Sequence, residues 1–219
     1  MRITLTLAAL NDLEVKTADI ENAYLTAPVT EKIWCILGPE FGDDAGKRAI
    51  VVRALYGLKS AGAAFRNHLA DCMVHLGWES CKADQDLWMK PEIRPEDGFK
   101  YYAYVLIYVD DILVVHHQAE NALKEIGHFF KMKPGTIADP DFYLGAKVRR
   151  IVLPNRVVAW SMSSSKYIQS AARNVREYLD KNSRYSMPKR APSPFLSGFE
   201  HDINVSPELD SPEKPSVAS

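Results

Sequence analysis

Tyr104–Val115 reads YVLIYVDDILVV, an apolar, β-branched run interrupted by two adjacent carboxylates, Asp110 and Asp111. Such runs favour strands, and the acids fall where a tight turn would join two of them. The stretch therefore predicts an antiparallel hairpin with both flanks buried and two acids at its tip. Aspartate is also a common turn residue, and a hairpin needs no metal to use a pair of them. A metal-binding reading requires a third carboxylate from elsewhere and a setting suited to phosphates.

Upstream of the hairpin, LEVKTADI (residues 13–20) alternates for a few positions and reads as a strand, with Asp19 near its C-terminal end. Residues 1–11 read as a helix ending at Asn11-Asp12. KIWCIL (32–37) and AIVVRAL (49–55) read as further strands, separated by Gly38-Pro39 and GDDAG as loop signals. From Ser60 to Leu76, Phe65, Leu69, Cys72, Met73 and Leu76 recur at spacings of three and four, which predicts a helix with Gly77 at its C-cap. PEIRPEDG (91–98) reads as a loop.

Downstream, residues 119–131 read as a helix with Leu123, Ile126 and Phe130 on one side, stopped by Pro134-Gly135. Phe142–Val152 reads as one strand interrupted by Gly145, with Val157–Met162 as its partner across Pro154-Asn155. Residues 164–180 predict a third helix, capped by Ser164 or Ser165, with Ile168, Ala172, Val175 and Leu179 facing inward. After Met187 the chain becomes rich in proline and serine and predicts an irregular tail over 188–219. This order does not alternate as a doubly wound sheet would. It predicts an α+β fold, an antiparallel sheet with helices packed on one face.

The length of 219 residues suits one domain or slightly more, and 47% hydrophobic with 25% charged residues is ordinary for a globular chain. No apolar run reaches the roughly 18 residues of a membrane span. The N-terminal stretch lacks a clear cleavage site for a signal peptide and reads as an amphipathic or buried helix. Cys35, Cys72 and Cys81 are odd in number and widely spaced, which points to a reducing compartment, to buried inert thiols, and away from a disulfide framework or zinc site. The net charge of −1 conceals an asymmetry: residues 1–120 carry 12 basic and 18 acidic side chains, whereas 121–190 carry 14 and 5. The basic segment suits either a phosphate-backbone surface or a solvated helix face.

The third carboxylate is Asp19. If its strand pairs beside the hairpin, Asp19, Asp110 and Asp111 meet at one edge of the sheet. Such a trio can hold two Mg²⁺ ions about 3.5–4 Å apart, one to activate an attacking hydroxyl and one to steady a leaving pyrophosphate. Asp19 alone reads equally as a strand-end or helix-capping acid. His116 and His117 are adjacent on a strand, point to opposite faces by alternation, and are poorly placed to share an ion.

ADIENAYL, ALYGLKSAGAAF, YVDDILV and FYLGAKV, in this order and spacing, resemble the reverse transcriptase of copia-type LTR retrotransposons. The likeness runs from about residue 2 to about residue 212 and takes in GPEFG, KADQDLWMKP and VSPELD. It implies an RNA-directed DNA polymerase working by two-metal phosphoryl transfer with Mg²⁺, or Mn²⁺ in its place. It implies Asp19, Asp110 and Asp111 as the catalytic, metal-holding acids and Tyr24 as a steric gate, a ring that leaves no room for a 2′-hydroxyl. It implies nucleotide contacts from the LYGLK block, with Gly57 allowing close backbone approach and Lys59 meeting a phosphate. Tyr143, Leu144 and Gly145 match the primer-grip strand. Lys131 and Lys133 both lie where the family places a lysine near the leaving phosphate. Ser60-Ala61-Gly62 and Phe65 depart from the Gln-Ala-Pro and Trp common in the family.

The resemblance also implies an organisation: a palm over residues 1–150, a thumb- or connection-like hairpin and helix over 151–187, and the tail from 188 to 219, with the fingers largely absent. The partners it implies are an RNA or DNA template with its primer, deoxynucleotides, and the fingers and RNase H parts of a polyprotein that also carries protease and integrase. Its setting is intracellular, in cytoplasmic particles or the nucleus. The alternative is a catalytically inactive remnant or a nucleic-acid-binding fragment using the basic segment.

Overall fold

The hairpin around Asp110 lies at the centre of the fold, seen here in a computed structural model that describes residues 1–182. In chain order, α1 (Arg2–Leu10) leads into β1 (Glu14–Asp19) and the short helical turn α2 (Ala23–Thr26). A ribbon follows, made of β2 (Pro28–Ile36) and β3 (Arg48–Arg53), then α3 (Ala61–His75), β4 (Glu79–Ser80) and β5 (Leu87–Ile93). The hairpin is β6 (Lys100–Tyr108) and β7 (Asp111–His116). Beyond it come α4 (Ala119–Gly127), β8 (Phe142–Tyr143), β9 (Ala146–Val152), β10 (Val158–Ser163) and α5 (Ser165–Asn182). The chain divides into two units, Met1–Ser170 and Ala171–Ser219. All of the described strands lie in the first, and the described part of the second is the C-terminal portion of α5.

Among the described residues, three antiparallel sheets make a mixed α and β architecture. The largest has the order β1-β7-β6-β5-β4, and the others are β8-β9-β10 and the β2-β3 ribbon. Ile112, Leu113, Val114 and Val115 of β7 are all fully buried. Consecutive strand residues face opposite sides, so the sheet is covered on both faces at this strand, beyond the single covered face that the element order suggested. Fully burying each such aliphatic side chain stabilises the fold by about 1.5–3 kcal/mol. Leu5 and Ala8 of α1, Phe65, Leu69 and Met73 of α3, and Ala122, Leu123 and Ile126 of α4 join the same core at helical spacing.

Several elements differ from expectation, each for a local reason. Residues 91–93 extend β5 rather than starting a loop, with Pro91 opposite Tyr102. Proline is tolerated there because β4 pairs β5 only at Trp88 and Met89, which among the described residues leaves no strand to receive a donor on the other side of Pro91. Phe142–Val152 is a hairpin, not a single strand: Tyr143 pairs with Ala146 across Leu144-Gly145. Both turn residues have positive φ, 49° and 74°, as two-residue hairpin turns of the I′ class require. α4 ends at Gly127, four residues short of the expected helix, although Phe130 is still buried. The anticipated inward face of α5 is not buried, with Ile168 and Val175 exposed. Cys35 is an exposed thiol, whereas Cys72 is buried. The tail expected over 188–219 lies outside the described residues.

Candidate active site

The register of β1 against β7 fixes the first pair of acids. Asp19 is the direct partner of Asp111, so both side chains lie on the same face of the sheet. Asp110 occupies the two-residue turn with Val109, and its carbonyl accepts a 2.8 Å bond from the Ile20 amide. Thus the end of β1 and the tip of the hairpin are tied by backbone bonding at the point where three carboxylates gather. Val109 has φ +56°, a conformation that a β-branched residue rarely adopts and that costs on the order of 1–3 kcal/mol. A positive φ at the first turn residue alone matches the II′ class.

β1 is the edge strand of its sheet, and residues 131–138 cover that edge. Glu21 and Lys133 amides bond to the Lys131 and Asp19 carbonyls at 2.7 and 2.8 Å, and Thr17 exchanges two bonds with Ala138. Within this segment the Thr136 amide bonds back to the Lys133 carbonyl across Pro134-Gly135, with Gly135 at φ +76°. Proline followed by a residue at positive φ is the signature of a type II turn. The turn places Thr136 Oγ1 to accept a 3.1 Å bond from the Asp19 amide. It also sends Lys133 over the acids, with Nζ 3.5 Å from Asp19 Oδ2 and 3.4 Å from Asp110 Oδ2. Lys131 pairs instead with Glu21 at 2.7 Å. The sequence left these two lysines equivalent; the turn separates them.

The electrostatics follow from this crowding. Burial pushes the Asp111 carboxyl above its usual range, and the charges of Asp110 and Asp19 push it further, with Lys133 in opposition. Partial burial alone would lower the Lys133 ammonium, but Asp19 and Asp110 outweigh it and raise it. Among the described residues no group of three acidic, histidine or cysteine side chains is already arranged to hold a metal ion. The donor chemistry nevertheless fits a hard divalent ion. Three carboxylates converge at a partly exposed edge, and a lysine ammonium already sits between two of them as a cation would. Asp19, Asp110 and Asp111 are the residues that would hold such an ion.

The other candidate residues form a second group beside this one. Tyr24, on α2, packs against Tyr56 at 4.7 Å and Phe65 at 6.0 Å between ring centroids. Gly57 follows Tyr56 with φ +97°, a conformation suited to glycine. Lys59 is exposed at the entry to α3. Gly62 faces the Tyr24 hydroxyl, with 4.0 Å available to an added Cβ. A cavity of about 180 Å³ lies among Tyr24, Gly62, Phe65, Tyr108 and Val109, joining this group to the hairpin turn. Tyr143 is buried, and its hydroxyl donates a 3.1 Å bond to the Leu106 carbonyl of β6. The exposed part of the primer-grip candidate is the Leu144-Gly145 turn.

Tyr56 and Thr136 were not singled out from sequence. The Lys-Pro-Gly-Thr turn signal was present for Thr136; an aromatic next to Gly57 carried no comparable sign. His116 and His117 depart from alternation because β7 ends at His116. Their rings stack at 4.4 Å, and His117 Nδ1 lies 2.5 Å from the Tyr101 hydroxyl.

An acid-tipped hairpin paired to an acid-ended strand, with an aromatic cluster alongside, has the makings of a nucleotidyl-transfer site. A family described as reverse transcriptase (RNA-dependent DNA polymerase) matches residues 1–176, and the chain belongs to it. The family is one of RNA-dependent DNA polymerases. The match ends short of VSPELD, which also lies outside the described residues. Similar proteins include the retrovirus-related Pol polyprotein from transposon RE1 of Arabidopsis thaliana, 26% identical over 69% of this chain and 10% of that protein. The corresponding polyprotein from transposon TNT 1-94 of Nicotiana tabacum is 29% identical over 77% of this chain and 12% of that protein. The chain thus spans about a tenth of the length of these relatives.

Proposed function

We propose that this chain is the polymerase portion of a retrotransposon Pol polyprotein, adding deoxynucleotides to a primer 3′-hydroxyl on an RNA or DNA template. The observation that carries this reading is the register of Asp19 against Asp111 with Asp110 at the adjoining turn, in a chain of the reverse transcriptase family. Residues 1–150 act as the palm, and 151–187 as a thumb- or connection-like element. The setting is intracellular, in a cytoplasmic particle or the nucleus.

Asp19, Asp110 and Asp111 would hold divalent metal, two Mg²⁺ ions or Mn²⁺, which when bound would lower the barrier to in-line displacement at a phosphate. The chain's own residues supply position. Tyr24, braced by Tyr56 and Phe65, lies under the incoming sugar and rejects a 2′-hydroxyl by occupying its space. Gly57 lets backbone approach the nucleotide, and Lys59 meets a phosphate as a point charge. The Leu144-Gly145 turn steadies the primer end, with Tyr143 anchoring it to β6.

Primer extension on an RNA template with deoxynucleotides and Mg²⁺ tests the proposal. Asp110→Asn is expected to reduce extension by about two orders of magnitude or more, with circular dichroism unchanged. Extension that survives Asp110→Asn, or well-folded wild-type chain that extends nothing, sinks the reading. Salt-sensitive RNA binding without any extension would favour a nucleic-acid-binding fragment instead.

A further inference from the structure

Lys133 does more than approach the acids. Its ammonium lies between Asp19 and Asp110, 3.5 Å from one carboxylate oxygen and 3.4 Å from the other. Its position is imposed from both sides: its amide bonds to the Asp19 carbonyl, and its own carbonyl receives both the amide and the hydroxyl of Thr136. Thr136 in turn receives the Asp19 amide. The lysine and the acid are therefore mounted on one hydrogen-bonded frame. Three partly exposed carboxylates at one end of the β1–β7 pair repel one another, and this ammonium is the compensating charge.

A divalent ion held by Asp19 and Asp110 needs the same oxygens. We infer that Lys133 is a built-in counter-ion of the metal-free site, which a divalent cation must displace from Asp19 and Asp110 in order to bind. This rests on the reading of Asp19 and Asp110 as metal-holding residues and goes beyond it by assigning an antagonist to the metal. The lysine lowers apparent metal affinity and stabilises the empty carboxylate cluster. Metal loading is then an exchange of one cation for another, with the side chain of Lys133 moving while its backbone stays in the frame.

Binding of Mn²⁺ to the full 219-residue chain, followed by electron paramagnetic resonance of the free ion, tests this without any turnover. Lys133→Gln is expected to bind Mn²⁺ roughly three- to tenfold more tightly than wild type, the scale set by two partly exposed ion pairs. Lys133→Arg keeps the charge and stays near wild type. Lys131→Gln removes the same formal charge from the same segment but pairs with Glu21, and is expected to change affinity by less than about twofold. Equal or weaker binding by a folded Lys133→Gln chain overturns the inference.

Should Lys133→Gln fail to fold, the wild-type chain still decides. The ¹³Cε resonance of Lys133 is expected to shift in step with Mg²⁺ saturation, and that of Lys131 to stay in place. A Lys133 signal that ignores saturating Mg²⁺ overturns the inference. If Asp110→Asn weakens Mn²⁺ binding while Lys133→Gln leaves it unchanged, the counter-ion role fails alone. If no form of the chain binds either ion, the metal-holding role of the acids fails with it.

Discussion

At position 111 a carboxylate faces Asp19 across the strand pair and follows Asp110 in the chain. Burial, then Asp110, then Asp19 hold it above the usual range of 3.8, so the folded state favours its protonated form. A carboxyl raised on folding contributes stability that is present below pH 3.8 and is lost as pH rises through the folded value. At neutral pH the ionised Asp111 is therefore a cost. Asp111→Asn is expected to stabilise the metal-free chain at pH 7 by up to about 1 kcal/mol after solvent screening, with the advantage vanishing below pH 3.8. Urea melts at the two pH values check this; a variant less stable at pH 7 would count against the crowded-carboxylate picture. The three acids were legible in the sequence because charge within an apolar run is expensive and needs a reason. Lys133 was not distinguishable from Lys131, because the choice depends on a type II turn two residues away.

Among the elements, β7 carries a titratable end. His116 is almost buried, its Nδ1 accepts the Gln118 amide at 2.9 Å, and its Nε2 lies 3.9 Å from Glu92. Burial lowers its pKa below 6.5, His117 and Lys90 add to that, and Glu92 opposes it. A base depressed on folding contributes stability present above pH 6.5 and lost as pH falls through the folded value. The expected loss is up to about 1.4 kcal/mol per pH unit within that window. His116→Asn keeps an acceptor for Gln118 and should flatten the slope between pH 7 and 5.5 in thermal melts. An unchanged slope would exclude His116 as its source. The hairpin itself was readable from its β-branched composition. β5 was missed because Pro91 reads as a breaker unless the unpaired flank beside it is known. The Phe142–Val152 hairpin was missed because Leu144 gives no hint of a positive φ.

On the scale of the whole molecule, burial is unevenly distributed. Ile112–Val115 are fully buried and bonded to strands on both sides, whereas α5 buries none of its residues. The periodicity of α5 was correctly read as helical, yet periodicity alone does not say whether an apolar face finds cover. An 18-residue helix without a packed face sits near the limit of stability in water. Amides in such a segment open locally, while those of a doubly paired central strand exchange only when the domain unfolds. Amide hydrogen exchange is therefore expected to give α5 protection factors below about 100, and β7 factors of order 10³ or more, set by the global equilibrium. A bound template should leave the β7 values in place and raise those of α5 only if that helix takes part in binding. Protection in α5 equal to that in β7, measured on the free chain, would show that its apolar face is covered after all.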